Sequence, residues 1–204
     1  MLKDLGFREG INEIIGVTFN GRTRNSAPLG IIVDDEESNR AMLRLFYRKY
    51  HKSGSENVKT HTMENVERGS NIYANVCFDP VVFAVSAFED LGDEFFESEF
   101  ILKNAYSVCV FEVIKIRKGD IWLCELEAAD GWIVNPRAAR AFSRGLAAVV
   151  ETAIHATRYC EGRKREELKK KILEAGDLIE RCGGKREREA YEYLLKATGL
   201  DRCR

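Results

Sequence analysis

The sequence has no long apolar run and no excess of charge of either sign. None of its stretches approaches the ~20 apolar residues that a membrane-spanning helix needs. Its 32 basic and 33 acidic residues give a formal net charge of −1, which provides no general attraction to nucleic acid or to an anionic membrane. The first ten residues include acidic ones and no apolar run, unlike a secretory signal. We therefore expect a cytoplasmic protein without nucleic-acid or membrane partners.

Metal-binding and catalytic signatures are also missing. The six cysteines form no Cys-x-x-Cys pair, and no histidine lies at metal-ligand spacing, so no metal site is predicted. The chain contains no Gly-x-Ser-x-Gly elbow, P-loop, His-Glu-x-x-His or Gly-x-Gly-x-x-Gly motif, so no catalytic residue is assigned. Cys77, Cys109 and Cys124 lie among apolar β-type residues and are expected to be buried, reduced thiols. Whether any cysteines pair is left open.

The chain has enough apolar sequence for one domain with a core, or for a domain with an appendage, since 45% of its 204 residues are hydrophobic. Residues 11 to about 135 are predominantly of β type. The Asn20-Gly21 dipeptide predicts a type I′ turn between the first two strands. The segment 40–50 also fits a short helix, but its aromatic residues favour a strand. The predicted elements are strands over 11–20, 23–33, 40–50, 71–78, 106–115 and 121–127, and helices over 60–68 and 80–91.

The hydrophobic period changes at Asn135-Pro136. Helices are predicted over 137–160, 163–182 and 185–198, with Glu and Lys/Arg at helical spacing as in a solvated bundle. The predicted fold class is therefore mainly β with a helical C-terminal part, an α+β arrangement. We divide it into a β-barrel domain over 1–135 and a helical appendage over 136–204.

The second predicted strand is unusual because small and polar residues interrupt its pattern, namely Asn25, Ser26, Ala27, Pro28 and Gly30. Pro28 cannot donate a ladder hydrogen bond, and Gly30 leaves the backbone bare. Such a segment suits a place where something flat packs against the main chain. Further along the chain, Thr62 and Asn65 form a Thr-x-x-Asn cluster that can supply a hydroxyl and an amide to the same ligand.

This order of motifs resembles the FMN-binding split-barrel superfamily. The pattern is Asn-x-Ala-Pro in a hairpin, Thr-x-x-Asn opening a short helix, and then an apolar-Asn-Val strand around Asn75. The flavin-reductase-like branch is nearest. More narrowly, the chain is similar to a mostly archaeal family of uncharacterised proteins, whose C-terminal helix the stretch 140–159 resembles. The resemblance implies a split β-barrel of the FMN-binding type with added C-terminal helices.

The resemblance also implies FMN as the cofactor and an oxidoreductase-like function in a homodimer, with the flavin near the interface. The absence of a catalytic constellation fits, because in such proteins the cofactor carries the redox chemistry. Pyridoxal phosphate, which sister split barrels use, is the alternative cofactor. The implied cofactor-binding residues are Arg24, Asn25, Ser26, Ala27, Pro28, Gly30, Thr60, Thr62, Asn65 and Asn75.

The chemistry of FMN suggests a role for each group. Asn25 and Ser26 can hydrogen-bond the ring edge or the ribityl chain. Thr62 and Asn65, near a helix N-terminus, suit the phosphate, with Arg24 as an adjacent cation and Arg44 or Arg48 as a second. The hydroxyl that faces the phosphate is left open among Ser53, Ser55, Thr60 and Thr62.

Each of these residues also has an ordinary structural explanation. Thr62 can be a plain helix cap, Asn25-Ser26 a polar pair at a strand bulge, and the arginines surface cations. A buried Asn75 must satisfy either backbone or ligand. Arg140 and Arg144 share a helix face, where they either close the pocket, pair with a partner subunit or form surface salt bridges.

Two other functions remain as alternatives to a flavin enzyme. One is a non-catalytic module that carries flavin as a sensor, a store or a structural ligand. The other is a helical interaction protein whose tail, 163–204, docks a partner or RNA. The mixed charges of that tail argue against nucleic acid.

Overall fold

The computed structural model describes residues 1–49, 57–162 and 164–201. It forms two compact units. The barrel unit consists of Met1–Arg48, Asn57–Cys77 and Gly92–Ala139, and the helical unit contains Phe78–Leu91 and Arg140–Arg204. The strands are β1 (Gly10–Phe19), β2 (Arg24–Val33), β3 (Arg40–Phe46), β4 (Arg48–Lys49), β5 (Asn57–Val58), β6 (Ile72–Cys77), β7 (Phe96–Ser98), β8 (Ile101–Leu102), β9 (Ala105–Arg117) and β10 (Ile121–Ile133). The helices are α1 (His61–Glu67), α2 (Pro80–Ser86), α3 (Arg144–Cys160), α4 (Arg165–Cys182) and α5 (Lys185–Thr198).

Six strands close into an antiparallel barrel in the order β1-β2-β3-β10-β9-β6. Strands β1 and β2 pair over their whole length, from Gly10 opposite Val33 to Phe19 opposite Arg24. Alternate side chains of β2 enter the barrel core, among them Leu29, Ile31 and Val33. The barrel and the three C-terminal helices confirm the predicted fold class.

Strand β3 shows why the segment after residue 40 is a strand and not a short helix. Ala41, Leu43 and Leu45 are buried, and the residues between them are exposed. This period of two fits a barrel wall with one face in the core. The strand ends at Phe46, the short strand β4 follows at Arg48–Lys49, and residues 50–56 lie outside the described residues.

The predicted type I′ turn between β1 and β2 is wrong. Type I′ needs positive φ at both central residues, and among the four turn residues, all described, only Gly21 has it, at 92°. Asn20 organises the turn with its side chain instead. Its Oδ1 accepts from the backbone N–H groups of Arg22 and Thr23, both at 2.8 Å.

The two short helices begin where capping residues predict. Thr60 caps α1, since its Oγ1 accepts from the Met63 N–H at 3.3 Å, and Gly69 follows the helix with φ of 90°. Asp79 caps α2 by accepting from the Val81 N–H at 3.0 Å. Helix α2 is buried as predicted but ends at Ser86, earlier than the predicted residue 91.

A small hairpin, β7–β8, was not predicted, and β9 and β10 are longer than predicted. The pattern weakens after Glu127 because bulges interrupt the β9–β10 register between Glu125 and Leu126 and between Ala128 and Asp130. A bulge reverses the alternation of faces, so the period of two is lost from the sequence although the pairing continues to Ile133.

The helical unit has a core of its own, to which α2, α3, α4 and α5 all contribute, for example through Ala84, Ala153, Ile172 and Leu194. Helix α3 begins at Arg144 rather than at 137. Pro136–Ala138 forms a separate 3-10 turn, and Ser143 caps α3 by accepting from the Leu146 N–H at 3.1 Å. Helix α2 therefore belongs with the C-terminal helices, although the sequence-based boundary at 135 assigns it to the barrel domain.

The cysteines follow the sequence expectation. Cys77, Cys109 and Cys124 are buried thiols, and Cys160 and Cys182 are exposed ones. Burial raises the pKa of Cys109 to about 12 and that of Cys124 to about 11, which makes both unreactive. Among the described residues, no helix is long and apolar enough to cross a bilayer.

Candidate functional site

Three of the residues predicted from the two motifs meet in one hydrogen-bonded network. The Asn25 amide donates from Nδ2 to Thr62 Oγ1 at 2.9 Å and lies 3.4 Å from Thr18 Oγ1. The Asn65 amide donates to the same Thr18 hydroxyl at 3.0 Å. Thr18 is 0% exposed, Asn25 9%, Thr62 3% and Asn65 3%. The Asn-x-Ala-Pro strand and the Thr-x-x-Asn helix are therefore joined directly, inside the barrel unit.

Strand register and helix spacing explain why these residues meet. Thr18 lies opposite Asn25 in the β1–β2 ladder, two positions from the Gly16–Ala27 pair and four from the Ile14–Leu29 pair. Ile14 and Leu29 point into the barrel core, so Thr18 and Asn25 share that inner face. Thr62 and Asn65, three apart on α1, share one side of their helix.

Thr18 is the network residue that the sequence analysis missed. It accepts from both amides and so connects β1, β2 and α1. The signal was available: Thr18 is the only polar side chain in the apolar run from Ile14 to Phe19. A hydroxyl at an inward-facing position must find a partner inside the barrel.

The other predicted residues of β2 are divided between its two faces. Ala27 packs partly against the barrel core. Ser26, Pro28 and Gly30 alternate with it and therefore point outward. Ser26 is buried, whereas Pro28 and Gly30 are half-buried. A Cβ on Gly30 would meet Ile11 Cγ2 at 3.0 Å and Glu13 Oε1 at 3.4 Å, so these two side chains of β1 pack close to the outer backbone at Gly30, which is half-buried.

Arg24 is engaged with the segment that leads into the small hairpin. Its guanidinium forms an ion pair with Asp93 and donates to the Glu99 carbonyl oxygen at 3.0 Å. It also lies 4.0 Å from the centroid of the Phe96 ring, within the range of a cation–π contact. These contacts place Arg24 beside the outer face of β2 and give it a structural role.

Asn75 is completely buried and bonded to backbone. Its Nδ2 donates to the carbonyl oxygens of Tyr73 at 3.0 Å and Phe100 at 3.1 Å, and its Oδ1 accepts from the Leu102 N–H at 2.9 Å. Stacking of Tyr73 on Phe100, with centroids 4.2 Å apart, adds to this connection. The sequence analysis allowed Asn75 to bond either backbone or a ligand. The structure shows bonds to backbone, and contact with a cofactor stays a prediction.

The remaining predicted polar groups lie around α1 and β3. Thr60 is the cap of α1, while Ser53 and Ser55 are outside the described residues. Arg44 is exposed on β3 and Arg48 is exposed on β4. At the end of α1, Glu67 pairs with Lys59 and Lys118, and hydrogen bonds from both lysines lower the pKa of its carboxyl to about 2.

The arrangement suits the binding of a flat ligand better than it suits catalysis by side chains. It combines half-buried outer backbone at Pro28 and Gly30 with the exposed cations Arg44 and Arg48 on neighbouring strands. Among the residues that the structure describes, no group of three or more His, Cys, Asp or Glu side chains could hold a metal ion.

Comparisons with known proteins cover nearly the whole chain. The model described as "Protein of unknown function (DUF447) N-terminal domain" matches residues 12–135, and the model described as "Protein of unknown function (DUF447)" matches residues 143–196. The crystal structure of an FMN-bound protein of the same family from Methanosarcina mazei is 33% identical, with 97% of this chain and 100% of that chain covered and a TM-score of 0.79.

More distant solved structures cover about two thirds of the chain. An FMN-binding protein from Thermus thermophilus with bound 1-cyclohex-2-enone is 11% identical, with 68% of this chain and 81% of that chain covered and a TM-score of 0.47. Flavin reductase HpaC complexed with NADP+ is 14% identical, with 67% and 85% covered and a TM-score of 0.46.

Proposed function

The chain belongs to the DUF447 family of proteins of unknown function, and from this premise we propose that it binds FMN on its split barrel. One observation carries the proposal: the FMN-bound family member from Methanosarcina mazei is 33% identical over 97% of this chain. Similarity over the full length includes the barrel strands and α1, the elements on which the two motifs lie.

The outer face of β2 supports this proposal with the geometry that a flavin ring needs. Pro28 and Gly30 are half-buried and expose backbone to a planar group. The FMN phosphate needs cations or donors, because an unpaired anion is costly to bury. Arg44 and Thr60 are candidate partners near these elements. The proposed cofactor-site residues are Arg24, Asn25, Ser26, Ala27, Pro28, Gly30, Thr60, Thr62, Asn65 and Asn75.

We propose an oxidoreductase-like function of the flavin-reductase class. Bound FMN would supply the electron transfer, while this chain's residues bind the ring, orient it and shield it from water. The electron donor and the substrate are not assigned. A cytoplasmic location and an archaeal family stay predictions.

The alternative of a flavin-binding module without turnover also has support. The motif side chains Asn25, Thr62 and Asn65 hydrogen-bond one another or Thr18, and none of them is a general acid or base. Reduction of the bound flavin by NADH, NADPH or a deazaflavin separates the two functions. A flavin that none of these donors reduces supports the module.

We infer that the chain is a homodimer with the flavin near the interface. Apolar side chains lie on the outer side of neighbouring strands of the barrel, all of them exposed except the half-buried Ile32. We call them the outer apolar face: Ile11, Ile32, Met42, Phe46, Ile121 and Leu123. Exposed apolar patches of this kind mark interfaces. The charged groups beside the face, Glu13 and Arg44, have opposite signs, as a surface that pairs with a second copy of itself requires.

Substitution of Gly30 tests the location of the FMN site. Gly30→Val adds a side chain to the outer backbone without requiring an unusual φ, and valine suits a strand. Because its Cβ would lie 3.0 Å from Ile11 Cγ2, that side chain must shift slightly, and the thermal midpoint is measured beside the Kd to show that the barrel stays folded. We expect the Kd for added FMN, measured by quenching of flavin fluorescence, to rise about tenfold or more, which corresponds to ~1.4 kcal/mol. Arg40→Val, at an exposed position of β3, is the matched control and should leave the Kd unchanged. Equal affinity in the two variants would contradict the proposed location.

A further inference from the structure

The network of Thr18, Asn25, Thr62 and Asn65, which we call the amide–hydroxyl clamp, lies on the inner face of the barrel wall. We propose that its members position the flavin site and that Thr18 is its key residue. In this view Asn25, Thr62 and Asn65 belong to the proposed cofactor site as residues that hold it in place, and other residues of that site contact the cofactor. The inference rests on the proposed FMN binding and adds the way in which this chain holds the site in place.

Thr18 is central because its oxygen accepts from both amides. Asn65 donates to it at 3.0 Å and Asn25 lies within 3.4 Å of it, so the two lone pairs of the hydroxyl oxygen are used. Asn25 has a second acceptor in Thr62, but Thr18 is the acceptor shown for the Asn65 amide. Loss of the Thr18 hydroxyl therefore breaks the connection between β1 and α1 and weakens the one between β1 and β2.

Burial makes the clamp rigid. Its four side chains are at least nine-tenths buried, so a broken hydrogen bond is not replaced by one to water. The same burial means that the Nδ2 atoms of Asn25 and Asn65 cannot turn toward a ligand without leaving polar groups unpaired. The motif residues are thus placed to fix α1 against β2.

A fixed inner face determines the position of the outer face. Asn25 immediately precedes Ser26, and the residues that we propose to face the flavin, Pro28 and Gly30, follow on the same strand. Successive residues of a strand point to opposite sides, so a shift of β2 inside the barrel moves the outer backbone by the same amount. Small displacements of a binding group are costly when a rigid ligand is recognised.

Three variants test this inference against a purely structural role. Thr18→Val keeps the shape and removes the hydroxyl, while Thr18→Ser keeps the hydroxyl. The matched control is Thr152→Val on α3, which removes a buried hydroxyl that donates to the Ala148 carbonyl oxygen at 2.6 Å. Thermal midpoint, FMN Kd and the band shape of the bound-flavin spectrum are measured for each variant.

We expect Thr18→Val to lower the thermal midpoint and to raise the FMN Kd about tenfold, with a flavin spectrum closer to that of free FMN. Thr18→Ser should restore the wild-type Kd. Thr152→Val should leave the Kd and the flavin spectrum unchanged, whatever its effect on the midpoint. If Thr18→Val does not fold, Thr18→Cys replaces it under the same criterion, because sulfur is a weak acceptor.

The outcomes distinguish this inference from the proposed function. A wild-type chain that takes up no FMN contradicts the proposed function itself. A wild-type chain that binds FMN, together with a Thr18→Val variant of equal affinity and equal spectrum, contradicts the positioning role. A Thr18→Ser variant that binds as weakly as Thr18→Val also contradicts it, because the methyl group and not the hydroxyl would then matter.

Discussion

At the scale of single residues, neighbouring side chains of β2 have different tasks because they point to opposite faces. Asn25 turns inward to Thr62 and Thr18, while Pro28 and Gly30 present backbone on the outside. The residues of this motif are contiguous in sequence, but some of them face the inside of the barrel and the others face its outer side. Which residue belongs to which half follows from the register of the barrel.

Asn75 provides a test at this scale. Asn75→Leu keeps the approximate volume but leaves the carbonyl oxygens of Tyr73 and Phe100 and the Leu102 N–H without their partner. We expect the free energy of unfolding to fall by about 2–4 kcal/mol, since each buried unpaired group costs ~1–3 kcal/mol. Urea denaturation measures the change, and limited proteolysis should cut first between 96 and 102.

The control for this substitution is Asn39→Leu. The exposed Asn39 donates to the Glu127 carboxylate, so its loss should change the unfolding free energy by less than about 0.5 kcal/mol. Equal stability of the Asn75→Leu chain and the wild type would show that the amide does not secure the hairpin. A cofactor role for Asn75 would then be the better explanation.

At the scale of elements, prediction succeeded where a local signal was complete. A threonine cap, at Thr60 or Thr62, with Gly69 at the other end predicted α1, and the aromatic residues of the segment 40–50 favoured a strand, which β3 confirms. Prediction failed where tertiary structure overrides the local pattern. The bulge at Ala129 hides the second half of β10. The helix predicted from residue 137 begins only at Arg144, because Pro136–Ala138 forms a separate 3-10 turn.

The candidate site was predictable in its parts but not in its assembly. The sequence identified Asn25, Thr62 and Asn65 by their motifs. It did not show that they bond within the protein, because Thr18 is distant in sequence from Asn65 and only the barrel register brings the two together. The binding of the Arg24 side chain to the segment 93–99 was hidden for the same reason.

The end of α1 supplies a prediction about pH. Hydrogen bonds from Lys118 and Lys59 lower the pKa of Glu67 from 4.5 to about 2. A carboxyl whose pKa is lowered by folding stabilises the fold at pH values above its pKa in the unfolded chain. This contribution disappears as the pH falls from 4.5 toward 2. We therefore expect Glu67→Gln to lower the thermal midpoint at neutral pH and to match the wild type near the acid end of that window.

The pH series needs a control on the same helix. Glu64→Gln also removes one charge from α1. Any difference in thermal midpoint between this variant and the wild type should stay the same from neutral pH to the acid end of the window. Added salt should reduce the Glu67 effect, because exposed ion pairs are screened. A midpoint difference for Glu67→Gln that persists unchanged below the window would contradict the assignment to this ion-pair cluster.

At the scale of the whole molecule, the chain combines a barrel unit and a helical unit, each with its own core. The two family models, over 12–135 and 143–196, divide the sequence at almost the place that the change of period indicates. The core of the helical unit also includes α2, which the sequence places between two strands of the barrel. This assignment was not visible in the local pattern because α2 is simply a buried apolar helix.

The proposed homodimer is tested on the outer apolar face. Phe46→Glu places a charge where Phe46 is 49% exposed and paired with Ile121. We expect light scattering after size exclusion to show a dimer for the wild type and a monomer for this variant, since burial of an unpaired charge opposes association. Phe142→Glu, at a phenylalanine that is 87% exposed in the helical unit, should remain dimeric. A dimeric Phe46→Glu chain would contradict the proposed interface.

The most direct test of the central claim is the absorption spectrum of the purified chain, followed by mass analysis of the ligand that heating releases. The proposed function predicts the visible bands of an oxidised flavin and a released mass equal to that of FMN. If the protein is purified without cofactor, it should regain these bands when FMN is added. A colourless protein that takes up no added FMN, or a chain that releases pyridoxal phosphate, would contradict the assignment.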